Sequence, residues 1–523
     1  YLEKLSTPQF FDPEHKVLLN GRQVVGECPI EGCKSERGYA DECSLGHQYM
    51  PSELINPKST LSGKTPEVID VTNWYFKLEE FQKLLSDRVE YLRKNTNSRK
   101  YLLNTMEEFL REPMIHIKKN QLPKLKEIID KLPDHEYIEE EKKPSVTLVF
   151  KTLRDREEAT KIIANHGVNF RTGKTLVPFR LTGNIEWGVK APVKEGLEGL
   201  TFWVWPESLW APISFTRTYL ETGSASSKDW KDWWCSKEAN VYQFIGEDNI
   251  YFYGIAEMAI FMALQKEAPD FIPKDGDLIL PHLIANNHVL FMDKKASSSS
   301  DIKPPMADEL LQYYTSEQLR MHFLSFGLDN KSVSFQPAVY QTQKQDGIDP
   351  VLKEGNLLTN VYNRLIRSCF YTAQKYYDSH IPEGTVSQNI LDEARKVILK
   401  YERHMYNHEF HRICDLLDSY IRSSNKYYVN NIRTAENNDD DALRRQVLID
   451  SFYAVRVIAT LVHPIAPTGA EMVREYLGVD ERMWDWETIF EPLDYFISNL
   501  NEHKLKFLEP RVDFFKKHES QLR

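Results

Sequence analysis

Apolar residues near the C-terminal third recur every three to five positions: Ile390, Ala394, Val397, Ile398, Tyr401, Met405, Phe410, Ile413, Leu417 and Ile421. This period lines one face of long helices. With the turn signal TAENNDDDAL and the run RRQVLIDSFYAVRVIATLVHPIAP that follow, it predicts an antiparallel helical bundle over 350–523. From about 305 onward the whole chain reads as helical. Between 181 and 300 the period changes, and aromatic and β-branched runs (GLTFWVWPES, NVYQFIGEDNIYFYG, GDLILPHLIANNHVLFMD) alternate with the helix-like IAEMAIFMALQ. Strand, helix and strand in that order predict part of a parallel sheet, where ligands gather beyond the C-terminal ends of the strands. Farther upstream, LEEFQKLLSDRVEYL and LPKLKEIIDKLP have helical spacing. The strand-like SVTLVFKTL, the helix-like DREEATKIIANHG and the apolar KTLVPFRL then predict a small inserted α/β element. The expected fold class is α/β plus all-α.

A chain of 523 residues has room for three or four domains. No stretch reaches the roughly 20 apolar residues needed to cross a bilayer. The most apolar segments, YFYGIAEMAIFMAL and YAVRVIATLVHPIAP, are short or carry Glu257 or His463, which fits buried helices. No membrane segment is expected. The net charge of -11 argues against a basic surface overall but leaves room for a local positive stripe. Tyr1 is neither an initiator methionine nor the start of a signal peptide, so further sequence is expected upstream.

Three of the six cysteines fall within sixteen residues, which suits a metal site in a reducing compartment and predicts a cytoplasmic protein. Cys28, Cys33, Cys43 and His47 follow C-x4-C-x9-C-x3-H in a segment too poor in apolar residues to fold by burial. Three thiolates and one imidazole make a closed tetrahedral site, so a structural Zn²⁺ is expected; free thiols beside a surface histidine are the alternative. The loop KKASSSS, after the last strand-like run, is either a polar linker or a mobile flap whose lysine meets a phosphate. Asp248, in GEDN, is a turn or cap aspartate or else a substrate-binding carboxylate.

Together these pieces resemble the methionyl-tRNA synthetase family of class I aminoacyl-tRNA synthetases. The resemblance is carried by CPIEGCKSERGYADECSLGHQYMPSELINPKSTLSGKTPEV, the later WYFKL, NIEWGVKAP, VYQFIGEDNIYFYG and GNLLTNVYNRLIRS. It implies a nucleotide-binding core of Rossmann type, with a zinc-knuckle insertion and a helical anticodon-binding domain. The boundaries are 1–23 for the end of the first half of the core, 24–115 for the knuckle insertion and 116–180 for the inserted α/β element. Residues 181–304 form the second half of the core, 305–349 a stem-contact linker and 350–523 the anticodon-binding domain.

The resemblance implies methionine, ATP with Mg²⁺ and tRNA as partners. It aligns Lys295-Ala296-Ser297-Ser298-Ser299 with a lysine-methionine-serine-lysine-serine signature, so Lys295, Ser297 and Ser299 would stabilise the transferring phosphates. Trp205, Pro212, Phe215 and Tyr253 would wall a methionine pocket, with Asp248 contacting the substrate amine or the ribose. Asn360 and Arg364, four apart on a helix, would read anticodon bases, and Tyr427 or Tyr428 would stack where the family has a tryptophan.

The sequence also departs from the family. Gly183-Asn184 replaces an arginine and an aspartate, Tyr253 a histidine, Ala296 a methionine and Ser298 a lysine, and no His-Ile-Gly-His-like signature occurs. The missing signature implies upstream residues, and the 523-residue segment alone is expected not to catalyse adenylation. Two further readings follow: a relative that binds tRNA or a partner without catalysis, and one that activates a different amino acid.

Overall fold

The computed structural model describes residues 1–29, 38–40, 54–184, 188–223, 229–295, 303–337, 352–500 and 502–522, with only the backbone described at Lys294 and Lys295. The chain divides into two compact units, Tyr1–Ile284 and Ala285–Arg523.

The first unit is built on two long strands. Leu2–Asp12 and Glu67–Phe76 pair antiparallel over ten residue pairs, from Leu2↔Phe76 to Phe11↔Glu67. Flanked by Val17–Leu18 and Phe179–Arg180, they form a four-stranded sheet. A smaller antiparallel sheet of Val24–Glu27, Gly38–Tyr39 and Ile55–Ser59 adjoins it. The two are joined by Ser59, whose hydroxyl donates to Asp12 Oδ2 at 2.5 Å. That bond, with Ser62 and the amides of His15 and Glu14, holds the buried Asp12 carboxyl well below the ordinary carboxylate range.

Residues 114–172 form a separate element with its own core of Ile115, Ile117, Leu148, Phe150, Ala159 and Ile163, among others. Strand, helix, strand, strand, helix and strand follow in sequence as Met114–Lys118, Leu122–Lys126, His135–Glu139, Ser145–Phe150, Leu153–Asn165 and Phe170–Thr172. The strands assemble with the last and first adjacent, then the third and the second, every neighbouring pair antiparallel. This is the split βαβ, ferredoxin-like arrangement.

Two segments depart from the sequence reading. GLTFWVWPES is strand only at Thr201–Phe202 and then enters the helix Val204–Glu221, because its aromatic residues pack on neighbouring helical turns. YFYGIAEMAIFMAL is a buried helix as expected, but opens with a π-helical stretch, Tyr251–Glu257, before Met258–Ala263.

The second unit opens with a hairpin. Val289–Phe291 pairs antiparallel with Lys294–Lys295 and parallel with Val333–Phe335. The rest is mostly helical: Asn363–Tyr377, Gln388–Tyr406, Phe410–Asn437, Asp441–Val462 and Pro467–Leu477. Asp441–Val462 is the central helix, buried on every side from Val447 to Val462. Burial on every side favours bonded polar groups, and most of those here are bonded, although Arg456 Nε and Nη1 have no hydrogen-bond partner among the described residues. Asp450 accepts from Ser387 N and Oγ, Tyr427 Oη and Gln446 Nε2 at 2.6–3.0 Å. Arg456 donates through one nitrogen to the carbonyls of Ile489 and Glu491. The expectation of helix throughout this region fails at Val333–Phe335 and after Gly478. Gly478, at φ +69°, ends the last long helix, and 3-10 turns and extended chain follow.

Candidate functional site

Four of the expected substrate-binding residues lie on two neighbouring helical segments of the first unit. The helix Val204–Glu221 starts where Trp203 N bonds Leu181 O, directly after the paired strands Thr182–Gly183 and Thr201–Phe202. Trp205 and Pro212 are seven residues apart and so share a helix face. Trp205 stacks on Phe252, ring centroids 3.5 Å apart and planes within 7°, which fixes this helix against the π-helical turn. Trp210 reinforces the contact edge-on to Phe261. Phe215, in contrast, stands 70% exposed on the same helix.

Tyr253 follows Phe252 in the π-helical turn and is half-buried; burial, and then the nearby Glu257, push its hydroxyl pKa up. Asp248 lies in the 3-10 turn Glu247–Asn249 between the strand Tyr242–Gly246 and Tyr253. Its carboxylate is exposed, and its Oδ1 lies over Gly246, 2.6 Å from where a Cβ would stand, so a side chain there would turn this carboxylate aside. Asp248 and Tyr253 thus lie five residues apart on consecutive helical turns, and Trp205 reaches this segment through its stack on Phe252. Extra residues inserted into a helix to form a π-turn are frequent at functional sites.

Gly183 and Asn184 lie on a neighbouring polar network. Asn73 Nδ2 donates to Asn184 Oδ1 at 3.3 Å, Thr182 Oγ1 donates to Asn73 Oδ1 at 3.0 Å, and Trp74 N donates to Thr182 Oγ1 at 3.0 Å. Gly183 is buried, and its carbonyl accepts from Thr201 Oγ1 at 3.3 Å.

Sequence reasoning passed over Glu257 and Gln243 as site residues. Glu257 is fully buried, its Oε1 accepting from Gln243 Nε2 at 3.0 Å, and burial pushes its carboxyl up to about 8. The signal was present: a lone carboxylate in an otherwise apolar run.

In the second unit Lys295 is the last backbone position of the hairpin, opposite Leu290. Met292 at φ +48° and Asp293 at φ +65° form its two-residue turn, with the paired positive φ values of type I′. Asp293 is held at both ends, its amide donating to Ser334 Oγ at 2.8 Å and its Oδ2 accepting from Gln336 Nε2 at 2.7 Å. The two lysines thus belong to a strand, and the hydroxyl-rich stretch starts after it. Ser297 and Ser299 lie outside the described residues. So do Cys33, Cys43 and His47; Cys28 is half-buried just beyond the strand Val24–Glu27.

Asn360 ends up in a π-helical segment, Leu357–Tyr362, with its amide donating to Asn356 Oδ1, while Arg364 is exposed one turn on. The stacking role expected of Tyr427 or Tyr428 is not available to Tyr428. It is 5% exposed, with its hydroxyl donating to Ser368 O and paired with Thr372 Oγ1 at 2.7 Å, because the bundle needs this face for its core. Tyr427 packs against the same core and donates to Asp450.

A family model described as tRNA synthetases class I (M) matches residues 1–121 and 150–360. The methionine--tRNA ligase of Chloroherpeton thalassium is 24% identical over 477 residues, 90% of this chain and 56% of its own length. That of Methanopyrus kandleri is 21% identical over 497 residues, 94% of this chain and 60% of its own. That of Korarchaeum cryptofilum is 23% identical over 519 residues, 98% of this chain and 75% of its own. The chain therefore spans less than two thirds of the length of the first two. Among solved structures, Mycobacterium tuberculosis methionyl-tRNA synthetase bound by methionyl-adenylate matches at a TM-score of 0.56 and 15% identity. The match covers 98% of this chain and 77% of that one, a likeness of fold.

Proposed function

The chain belongs to the family of class I tRNA synthetases (M), and from that premise we propose that it serves as a methionine--tRNA ligase. The observation that supports this most is the uninterrupted family match over 150–360. It takes in the Trp205–Phe215 helix, the Asp248–Tyr253 turn, the Lys295 hairpin and Asn360.

The methionine carboxylate attacks the α-phosphate of ATP, and a ribose hydroxyl of tRNA then takes the acyl group from the adenylate. Both steps depend on positioning and charge stabilisation, with no covalent enzyme intermediate. Lys295, carried at the end of a short hairpin, neutralises charge on the departing pyrophosphate, assisted by Ser297 and Ser299. Mg²⁺ accompanying ATP would supply positive charge to offset the negative charge of its phosphates. Trp205, Pro212 and Tyr253 wall the thioether, which packs well against aromatic ring edges; Phe215, expected with them, stands outside that wall. Asp248 receives the amine or the ribose, and Asn360 with Arg364 reads the anticodon. Cys28, Cys33, Cys43 and His47 would hold a structural Zn²⁺, whose binding energy would stand in for a hydrophobic core in the knuckle.

ATP–pyrophosphate exchange with each of the twenty amino acids, on the complete native protein, tests this reading. Methionine-dependent exchange that falls at least a hundredfold in Lys295→Ala is expected. Exchange with another amino acid alone would overturn the methionine assignment, and full exchange in Lys295→Ala would overturn the role of the lysine. A second reading, tRNA binding without adenylation, is favoured by Gly183, whose backbone is buried in strand pairing where a family arginine would reach substrate. It predicts tRNA retention with no exchange for any amino acid.

A further inference from the structure

The proposed reaction makes no use of the element over 114–172. The family match stops at residue 121 and resumes at 150. The helix Leu122–Lys126, the strand His135–Glu139 and nearly all of Ser145–Phe150 therefore fall outside it, although the first and last strands of the same sheet fall within. The middle of the element, 122–149, thus lies outside the family match.

Its two helices cover one sheet face, where Ile115, Ile117, Val146, Leu148 and Phe150 are buried. Strand register defines the other face, because residues paired across antiparallel strands point the same way. One row across the four strands reads Arg171, His116, Thr147, Ile138, and the next pairs Lys118 with Ser145. Arg171 and Lys118 are exposed, and His116 is half-buried with its Nδ1 2.9 Å from Thr147 Oγ1.

On its Arg171–Lys118 side the face carries two exposed cations, although the chain has a net charge of -11; its remaining row is Met114, Val149 and Glu136, with Val149 buried. After burial, the influences that hold the His116 imidazole below its ordinary value are Lys143 and Arg111, both cations. Glu136 is the carboxylate on this face; it pairs with Val149, on the far edge strand from Arg171. Lys143 is engaged by Glu140 at 2.6 Å, and no carboxylate is recorded against Arg111, Lys118 or Arg171 among the described residues. Apart from His116 the face presents no aromatic ring on which a base could stack. Cations and hydroxyls without stacking platforms suit a phosphodiester backbone, held without regard to sequence.

We infer that the face of this sheet away from its two helices, through Arg171, Lys118 and His116, binds the phosphate backbone of the RNA that the protein handles. This rests on the RNA-binding part of the function proposed above and not on the adenylation part.

The experiment is a fluorescence-anisotropy titration of the complete native protein with unfractionated tRNA at several salt concentrations. Lys118→Glu/Arg171→Glu is compared with Lys131→Glu/Lys161→Glu, which makes the same charge change on exposed residues of the helical side. The face variant is expected to lose about tenfold or more in affinity and to reduce the salt slope by about 1.5, at 0.7–0.9 per phosphate contact. The control should stay within about twofold, and the His116 pKa, followed by NMR, should rise when RNA binds. Equal losses in both variants, or no loss in either, would overturn the inference, as would tighter binding of polyglutamate than of tRNA. Should the charge-reversed protein unfold, Lys118→Gln/Arg171→Gln should still weaken tRNA binding about threefold; binding unchanged in that folded variant counts against the site. Amino-acid-dependent exchange with tRNA binding indifferent to this face removes the inference and leaves the enzymatic reading. Face-dependent tRNA binding without exchange does the reverse.

Discussion

Replacing Glu257 by glutamine probes the interior that holds Tyr253 in place. Glu257 Oε1 accepts from Gln243, and Glu257 Oε2 is buried with no hydrogen-bond partner among the described residues. Burial raises the folded-state value to about 8, against an ordinary 4.5, and the Gln243 bond opposes the shift. A raised folded value means that the folded state binds the proton more tightly. The stability from this group is therefore fully present below about pH 4.5 and is lost as pH rises through about 8. At ~1.4 kcal/mol per unit, the loss reaches roughly 3 kcal/mol by pH 7 and between 4 and 5 kcal/mol above pH 8. Glutamine has nearly the same shape and cannot ionise, so Glu257→Gln should match the parent protein near pH 4.5 and exceed it at pH 8.5. Amide hydrogen exchange across Ile255–Met262, corrected for intrinsic rates, reads the local opening free energy directly. Protection about a hundredfold or more higher in the variant at pH 8.5, converging on the parent value at pH 5, is expected. A difference that stays constant with pH, or parent protection that rises with pH, would refute the reasoning. Either result would mean that the carboxylate is ionised and paired inside the fold.

Asp450→Ala should cost about 3 kcal/mol, read from the urea midpoint of the helical unit, because Ser387, Tyr427 and Gln446 lose their common acceptor. Gly469→Ala should destabilise the same unit by about 1–3 kcal/mol, since the new Cβ would fall 2.3 Å from a Phe515 ring carbon. Met292→Asn suits the first positive-φ position of the hairpin turn while keeping the bonds of Asp293, and should raise protection of the Phe291 amide by about 1 kcal/mol. Elemental analysis should find about one zinc per chain, falling away in Cys28→Ser; undiminished zinc in that variant would remove the cysteine from the ligand set.

The sequence was most legible where structure follows from local period. A 3.6-residue apolar repeat forces a helix to bury one stripe, and the long helices of the second unit appear where Ile390 through Ile421 recur. The α/β character of 116–180 was legible in the same way, from a β-branched run followed by an amphipathic one. VWPESLWAPISF was less so, because aromatic residues suit a half-buried strand as well as a helix, and only the stacking of Trp205 on Phe252 decides between them. The inward turn of Tyr428 was likewise hidden: a tyrosine on an amphipathic helix faces core or solvent according to the helices packed around it. Of the candidate residues, the sequence supplied Trp205, Asp248, Tyr253 and Lys295; the fold showed that the first three belong to neighbouring segments of the first unit and put Lys295, read as part of a loop, on the strand of a hairpin in the second. It also turned Phe215 outward and buried Glu257 at full depth. The sequence by itself determined element types and the chemistry of the side chains. Only tertiary structure decided that Arg171, His116 and Lys118 share one face, because that depends on register between strands more than fifty residues apart. No local pattern encodes the partner of a strand; it is set when the helices Leu122–Lys126 and Leu153–Asn165 bury Ile115, Ile117 and Phe150 and leave Arg171, His116 and Lys118 on the opposite face.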